Sequence, residues 1–218
     1  MQVLICISSK YPNPNLYDCI NELYKTQINN TNLDKEDIYK IHVVDSDSDD
    51  LIYYNKIKED FPEVEIHMIQ NKNYEYGAWK YIYDNYPSFD IYFCIQDTTI
   101  IHTYIDLKKI DDTIAYTFHH HSGYNSHISI KEKGIENIKD SGLNYLPLID
   151  TNFNLAQHSC FIVNNTIIQN IFKHLNILPI DKTGSCFYER NLGIYFLDKN
   201  IQTINLYEYM HKNNGGRF

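Results

Sequence analysis

Three polar clusters stand directly after apolar runs of the chain, and their side chains are of types that bind phosphates or metal ions. They are Ser8-Ser9, the acidic run from Asp45 to Asp50, and Gln96-Asp97-Thr98. In open parallel sheets, ligands bind beyond the carboxyl ends of the strands. We therefore expect the three clusters to meet at one edge of a sheet and to form a binding site there.

Asp97 is the candidate ligand for a cation, because it is a hard oxygen donor after an unbroken apolar run. The first apolar run is followed by Ser-Ser-Lys-Tyr-Pro, which lacks the G-x-G-x-x-G pattern of dinucleotide sites, and the chain has no Walker lysine motif. A diphosphate bound here needs another source of positive charge. A bridging divalent cation, Mn²⁺ or Mg²⁺, is the natural one.

The elements that would position these clusters follow from the apolar pattern, which predicts an α/β fold with a mainly parallel, Rossmann-like central sheet flanked by helices. Strands are predicted at residues 3–8, 39–44, 64–69, 91–95, 114–118, 160–163 and 201–206. Helices are predicted from about 50 to 59 and at 15–26, 74–86, 165–175 and 185–197, the first of the chain capped by Asn15. The weak pattern from 122 to 154 predicts loops, and the polar tail after His211 predicts a flexible end.

Composition narrows the class of protein. A chain of 218 residues fits one α/β domain, and its formal net charge of −9 disfavours a nucleic-acid binder. The five cysteines show no C-x-x-C spacing, which favours a reducing compartment. The N-terminus lacks signal-peptide features, and no run approaches the ~18 apolar residues of a membrane span. We therefore expect a soluble, cytoplasmic protein.

Several ordered segments carry a resemblance to a known family. Residues 43–49, 71–80 and 92–98 resemble glycosyltransferases of the GT-A fold, and residues 160–163 and 189–193 are similar to later segments of that group. The likeness is greatest to small enzymes that decorate polysaccharides or capsid proteins, including those of large DNA viruses. It implies a metal-assisted hexosyltransferase that moves a hexose or deoxyhexose from a nucleoside-diphosphate sugar, commonly a uridine one, to a glycan or glycoprotein acceptor. It also places a viral member in the infected host cell.

The resemblance implies one domain with two halves, and it assigns roles to individual residues. Residues 1–100 correspond to the nucleotide-binding half, and residues 101–218 to the acceptor side and C-terminal tail. Asp45 matches the residue that holds the base, and Tyr11 could stack on it. The remaining positions that match donor-binding segments are Ser8 and Ser9, which wrap the nucleotide, and Asn71, Gly77 and Lys80, which lie under the ribose and diphosphate.

The metal site is also implied by this resemblance. Asp97 matches the last acid of the family's D-x-D motif, but Ile95 stands in place of the first acid, and Gln96 could supply a neutral contact. His211 matches a second metal ligand that some members place near the C-terminus, and an exposed surface histidine is the alternative. Lys212 or Arg217 of the tail could reach the phosphates.

A catalytic base is required only if the transfer inverts configuration. Glu189 is the leading candidate, Asp181 is the reserve, and a surface ion pair is the alternative role for Glu189. The run from His119 to His121 is unsuited to a single metal ion, because consecutive strand residues point to opposite faces. One of these histidines is expected at the edge of the site, in contact with a sugar.

Two other functions stay open on the sequence. A sugar-nucleotide pyrophosphorylase shares a related sheet, although its usual glycine-rich, basic N-terminal signature is replaced here by Ser-Ser-Lys-Tyr-Pro. A nucleotide-sugar or glycan-binding module without catalysis is consistent with Ile95 in the place of the first acid.

Overall fold

The computed structural model describes residues 1–30, 36–119, 128–147 and 153–213. Three residues considered above, His120, His121 and Arg217, lie outside these ranges. Within the described residues, no helix has both the length and the apolar character needed to cross a membrane.

Seven strands form the central sheet, in the order β3-β2-β1-β4-β7-β6-β8. The strand β7 runs antiparallel to both of its neighbours, β4 and β6, and the other pairs are parallel. A separate antiparallel pair joins β5 to β9. The strands are β1 (Gln2–Ser9), β2 (Ile38–Asp45), β3 (Glu65–Met68), β4 (Ile91–Gln96), β5 (Thr99–Ile101), β6 (Ile114–Thr117), β7 (Phe161–Asn164), β8 (Gln202–Asn205) and β9 (Met210–Lys212).

Helices cover both faces of the central sheet. They are α1 (Pro14–Leu23), continued by a π-helical turn at Tyr24–Ile28, then α2 (Ile52–Asp60), α3 (Tyr74–Asn85), α4 (Ile128–Ile138), α5 (Asn165–His174) and α6 (Lys182–Asp198). Two apolar clusters result, one on each face. Alternate residues of β1 and β4 enter opposite clusters, as in Leu4 and Ile5. This two-sided burial is why both strands are apolar throughout.

The predicted α/β class with a mainly parallel, helix-flanked sheet is confirmed. Tyr76 and Trp79 of α3 are three residues apart, hence on one helical face, and both are buried in the core. The Trp79 indole Nε1 donates to the Ser159 carbonyl oxygen at 3.0 Å, so α3 is tied to the segment before β7.

Four details of the sequence-based prediction are wrong. Asn13, not Asn15, caps α1, because its side chain accepts from the Asn15 N–H at 2.9 Å. Helix α4 lies in the stretch expected to be loop. The short pair β5–β9 was not predicted, and it places Lys212, which directly follows His211, in a strand rather than in a flexible end. Three-residue strands carry too little periodicity to be recognised from sequence.

All five cysteines are free thiols, and four of them are buried: Cys6, Cys19, Cys94 and Cys160. Burial raises the pKa of each of these four thiols above its ordinary value. They pack as small apolar side chains in the two core clusters.

Candidate functional site

A cleft opens where the parallel strands end. Its volume is about 520 Å³, within the usual range of small-molecule sites. It is lined by Ser8, Lys10, Tyr11, Ser46, Asp47, Asp49, Asn71, Lys72, Tyr74, Glu75, Gln96 and Lys182. All of these except Lys182 belong to the first hundred residues, so the N-terminal part of the chain forms nearly the whole cleft.

The three polar clusters meet at this edge, as expected from the parallel pattern. Ser8 lies opposite Gln96 in the β1–β4 ladder, and Ser9 lies opposite Asp45 in the β1–β2 ladder. Ser8 and Gln96 line the cleft. Tyr11 projects at its side with 58% of its surface exposed, and the Lys10 ammonium lies 5.1 Å from the Tyr11 ring centroid. An exposed ring there can stack on a planar ligand.

Asp45 is fully buried, and its carboxylate is engaged within its own loop. It accepts hydrogen bonds from the Ser48 N–H at 2.8 Å, from the Ser48 hydroxyl and from the Tyr54 hydroxyl. These bonds hold the loop that presents Ser46, Asp47 and Asp49 to the cleft. The expected contact of Asp45 with a base stays a prediction, and the observed contacts give Asp45 a role in shaping the loop.

Asn71 shapes the next loop. Its side-chain amide donates to the Tyr74 carbonyl oxygen at 2.7 Å, and its Oδ1 accepts from the Asn73 N–H at 3.0 Å. Gly77 allows this loop to pack on α3, because a Cβ at that position would lie 2.3 Å from Asn71 Oδ1. Asn71 therefore lines the cleft, and the absence of a side chain at Gly77 leaves room for Asn71 to pack against α3.

Lys80 lies on the outer side of α3. Its ammonium is 2.6 Å from both carboxylate oxygens of Asp84, one helical turn further on. The cleft itself is lined by three other lysines, Lys10, Lys72 and Lys182. Lys80 is not among the residues that line the cleft, and its expected phosphate contact stays a prediction.

A chain of hydrogen bonds runs from the cleft wall to α6. The Gln96 side-chain amide donates to Glu75 Oε1 at 2.5 Å, and the Lys212 ammonium donates to Gln96 Oε1 at 2.6 Å. The same ammonium lies 3.2 Å from His158 Nδ1. We call Glu75, Gln96, Lys212, His158 and Glu189 the cleft network.

Glu189 forms the far end of the cleft network. Its Oε1 accepts from the His158 N–H at 3.0 Å, and its Oε2 lies 3.7 Å from the Arg190 guanidinium. Burial raises the pKa of Glu189, against the lowering effects of that N–H and of Arg190. Burial also lowers the pKa of His158 to about 4, and the Lys212 charge adds to this effect. Neutral His158 is thus able to accept a hydrogen bond from Lys212.

Glu189 does not line the cleft, whereas Glu75 does. Glu75 was missed in the sequence, although it lies inside the segment 71–80 on which the family resemblance depends. Asp181, the reserve base, caps α6 by accepting from the Gly184 N–H at 2.6 Å. That cap places Lys182 at the start of α6 and in the cleft wall.

The predicted metal ligands Asp97 and His211 lie in different surroundings. Asp97 is fully buried, and its Oδ2 accepts from the Ser9 hydroxyl at 3.1 Å. His211 is exposed and stacks on His102, with ring centroids 5.6 Å apart. Strand residues alternate between faces, and Lys212 is the residue of β9 that turns toward Gln96. The structure therefore does not bring His211 to the Gln96 side of β9, and a shared metal site stays a prediction.

His119 is buried at the end of β6, and its ring nitrogen Nδ1 lies 2.9 Å from the Thr117 hydroxyl. The expected contact of this residue with a sugar stays a prediction. The other two histidines of the run lie outside the described residues.

Backbone strain is concentrated around the cleft. Seven described residues other than glycine have positive φ. Tyr11, Asp47 and Tyr74 line the cleft, Gln70 precedes the lining residue Asn71, and His158 belongs to the cleft network. Left-handed conformations are costly for residues with a side chain, and they concentrate at functional sites. Left-handed backbone geometry is thus concentrated in the loops of the cleft and in the cleft network.

Comparisons with known proteins identify the fold. No protein-family model matches the sequence, and no curated protein matches it. The crystal structure of S. aureus TarS, a glycosyltransferase, has a TM-score of 0.53 at 12% identity, covering 98% of this chain and 37% of TarS. The structure of S. aureus TarS 1-349 gives the same TM-score and identity, with 60% of that chain covered. This chain thus spans well under the full length of the structures that it resembles. The likeness shows that the chain has a GT-A-like fold of the Rossmann type.

Proposed function

We propose that this protein transfers a glycosyl group from a nucleoside-diphosphate sugar to a glycan or glycoprotein acceptor. The observation that carries the proposal is the cleft beyond the parallel strands, in which Lys10, Lys72 and Lys182 lie around polar strand ends. Such a lining suits a ligand with two phosphates, and the GT-A-like fold supports glycosyl transfer in general. A hexose or deoxyhexose carried by uridine diphosphate is the donor that we propose.

The donor is oriented by the N-terminal half, residues 1–100. Tyr11 stacks on the base, while Ser8, Asn71 and Gln96 offer polar contacts from the cleft lining. Ser9, Asp45 and Gly77 lie behind that lining and hold its loops in place. The three lysines offset the charge of the diphosphate. Residues from 101 onward then form the acceptor side of the site. The acceptor that binds there is a glycan or a glycoprotein, such as a capsid protein.

The reaction needs an acceptor hydroxyl and a departing diphosphate. The hydroxyl oxygen forms a bond to the anomeric carbon, the bond from that carbon to the phosphate oxygen breaks, and the nucleoside diphosphate leaves with the electron pair. In an inverting reaction a carboxylate takes the hydroxyl proton. Glu189 is the base predicted from the resemblance, and Glu75 is the carboxylate that lines the cleft. We propose Glu75 as the alternative base, with Glu189 acting through the cleft network.

A divalent cation belongs to the proposal, with Asp97 as its protein ligand. Mg²⁺ is usually held by one or two carboxylates together with substrate phosphates, so a single carboxylate suits it. To bind Mn²⁺ or Mg²⁺, Asp97 would exchange its hydrogen bond from Ser9 for the cation. The cation would stabilise the charge on the leaving diphosphate.

A thermal-shift and transfer experiment tests the proposal. Uridine-diphosphate sugars, with and without manganese, are expected to raise the unfolding midpoint, and a ligand at 100 times its Kd adds about 2.7 kcal/mol. Asp97→Asn should abolish metal-dependent transfer with the fold intact, whereas Asp60→Asn, at an exposed site, should not. Full metal-dependent activity of Asp97→Asn would contradict the role of Asp97.

A binding module without catalysis is the second candidate. It is favoured by buried Ile95 in place of the first acid and by the engagement of Asp97 with Ser9. Calorimetric binding of a nucleotide sugar with neither hydrolysis nor transfer, tested across acceptors, would support this candidate. If no nucleotide sugar binds, both donor-site functions fail, and a pyrophosphorylase is instead tested by sugar-phosphate and nucleoside triphosphate.

A further inference from the structure

A second polar cluster lies on β2 and on the edge strand β3, outside the cleft lining. It consists of His42 on β2 and of Glu65 and His67 on β3, and we call it the edge cluster. The parallel register places His42 beside Glu65, and Val44 beside His67. Residues two apart on a strand share a face, so all three side chains project from the same face. In the described residues, this is the one group of three potential ligands that converge on a point.

The distances within the edge cluster suit a small cation. His42 Nδ1 lies 2.9 Å from His67 Nε2, His42 Nε2 lies 3.7 Å from Glu65 Oε1, and His67 Nε2 lies 4.0 Å from Glu65 Oε2. Zinc binds imidazole nitrogen and carboxylate oxygen at about 2.0–2.2 Å, which places tetrahedral ligand atoms about 3.3 Å apart. With Nε2 as the ligand atom of His42, both distances to Glu65 exceed that value, so zinc binding would draw these atoms closer and replace the His42–His67 hydrogen bond.

The hydrogen bonding of His42 is incomplete. This residue is fully buried, and its Nε2 has no hydrogen-bond partner. A buried polar atom without a partner costs about 1–3 kcal/mol, and such atoms in native proteins call for a ligand, ion or water. The neighbouring carboxylate of Glu65 lies too far from this nitrogen for a hydrogen bond but within ion-pair distance. His42 Nε2 is therefore a buried nitrogen without a hydrogen-bond partner, and it lies beside the Glu65 carboxylate.

Two tyrosine hydroxyls lie beside residues of the edge cluster. The Tyr81 hydroxyl lies 3.5 Å from His67 Nδ1, and the Tyr86 hydroxyl donates to Glu65 Oε2 at 3.3 Å. The Tyr86 ring also meets the His42 ring edge-on, with centroids 4.4 Å apart. Partners of this kind orient metal-binding histidines and carboxylates.

From this juxtaposition we propose that His42, Glu65 and His67 form a zinc site that pins the edge strand β3 to β2. Two imidazoles and a carboxylate are a ligand set that suits zinc better than Mg²⁺, which prefers oxygen ligands. Water takes the fourth position. Since β2 leads into the loop of Asp47 and β3 leads to Asn71, zinc stiffens two loops that line the cleft.

The test uses the full chain, stripped of metal with EDTA, and zinc chloride as the only added ligand. We expect one zinc ion per chain and, at 100 times the Kd, an unfolding midpoint raised by about 5–10 °C. Binding should not require a nucleotide sugar, so this result is independent of the proposed glycosyl transfer. X-ray absorption should show nitrogen or oxygen ligands at about 2.0–2.2 Å.

Variants at the two less buried ligands keep the test decisive. Glu65→Gln and His67→Gln should each weaken zinc binding at least about 100-fold. His102→Gln serves as the control, because it changes an exposed histidine stacked on another histidine. The proposal is overturned if the chain binds no zinc, if both ligand variants bind normally, or if the control variant abolishes binding.

Discussion

The cleft network and the edge cluster differ in how completely their buried polar groups are paired. In the cleft network, Gln96 donates to Glu75 and accepts from Lys212, which also contacts His158. In the edge cluster, a buried nitrogen of His42 has no hydrogen-bond partner. Paired networks hold one geometry, whereas an unpaired group lowers stability until a ligand satisfies it. The cleft network is therefore preorganised without a ligand, whereas the edge cluster would reach full pairing only with the proposed zinc ion.

The largest expected effect separates the two carboxylates of the cleft network. Glu75→Gln should lower the rate of glycosyl transfer by about 10²–10⁴, the usual contribution of a general base. Glu189→Gln should act less, through the position of His158. Turnover at saturating donor and acceptor measures both, with Glu136→Gln on the surface as the control. A larger loss of transfer rate in Glu189→Gln than in Glu75→Gln would identify Glu189 as the general base.

Removing the cation of the cleft network should reduce stability. Lys212→Met takes away the hydrogen-bond donor to Gln96 Oε1 and the contact with His158 Nδ1. The expected loss is about 1–3 kcal/mol in the free energy of unfolding, as for other buried groups left unpaired. Urea unfolding measures it, with Lys199→Met as control, because Lys199 forms a surface ion pair worth at most about 1 kcal/mol. Equal losses in the two variants would mean that the Lys212 contacts contribute no more than a surface ion pair.

Both regions should lose stability in acid, and for the same reason. The pKa of His42 and that of His158 each fall from 6.5 to about 4 on burial, so the unfolded chain binds more protons between these values. Stability is then fully present above about pH 6.5 and declines as the pH falls toward 4. We expect about 1–3 kcal/mol over this range, from urea midpoints in metal-free buffer.

His158→Asn separates the two contributions to this pH dependence. Asparagine tolerates the positive φ of 58° at that position and does not titrate. The variant should flatten part of the pH dependence and leave the part that comes from His42. An unchanged slope would show that His158 titrates normally in the folded protein.

The smallest effect is expected at the edge cluster in metal-free protein. His67→Gln removes a hydrogen bond to His42 and should lower the free energy of unfolding by about 1 kcal/mol. With zinc present the difference should grow, because only the unmodified protein gains from the ion. Thermal unfolding with and without zinc measures both values, and an identical difference in the two buffers would argue against a zinc site.

The parts of the fold that were predictable from sequence are those with long apolar runs. Strands β1, β2 and β4 and the meeting of their polar ends follow from buried, two-sided apolar patterns. Helix α4 was missed because its stretch is interrupted by glycine and polar residues, and its partner is helix α6 rather than the sheet.

The candidate site was predictable in place but not in detail. Lys212 reaches Gln96 through the β5–β9 pair, a contact between residues 116 apart that no local pattern encodes. In the same way, the sequence could not show that the Asp45 carboxylate accepts hydrogen bonds from Ser48 and Tyr54. The edge cluster depends on the β2–β3 register, which places His42 beside Glu65.

The left-handed residues around the cleft have a consequence for engineering this protein. Glycine or asparagine accommodates such a backbone at lower cost, so substitutions at Gln70 or Tyr74 would relieve strain and raise thermal tolerance. The same changes would make the cleft loops more mobile, because these loops are now fixed in left-handed conformations that their residues disfavour. Selection for heat resistance alone should therefore accumulate mutations at the rim of the cleft. Those mutations should also lower the rate of the proposed glycosyl transfer.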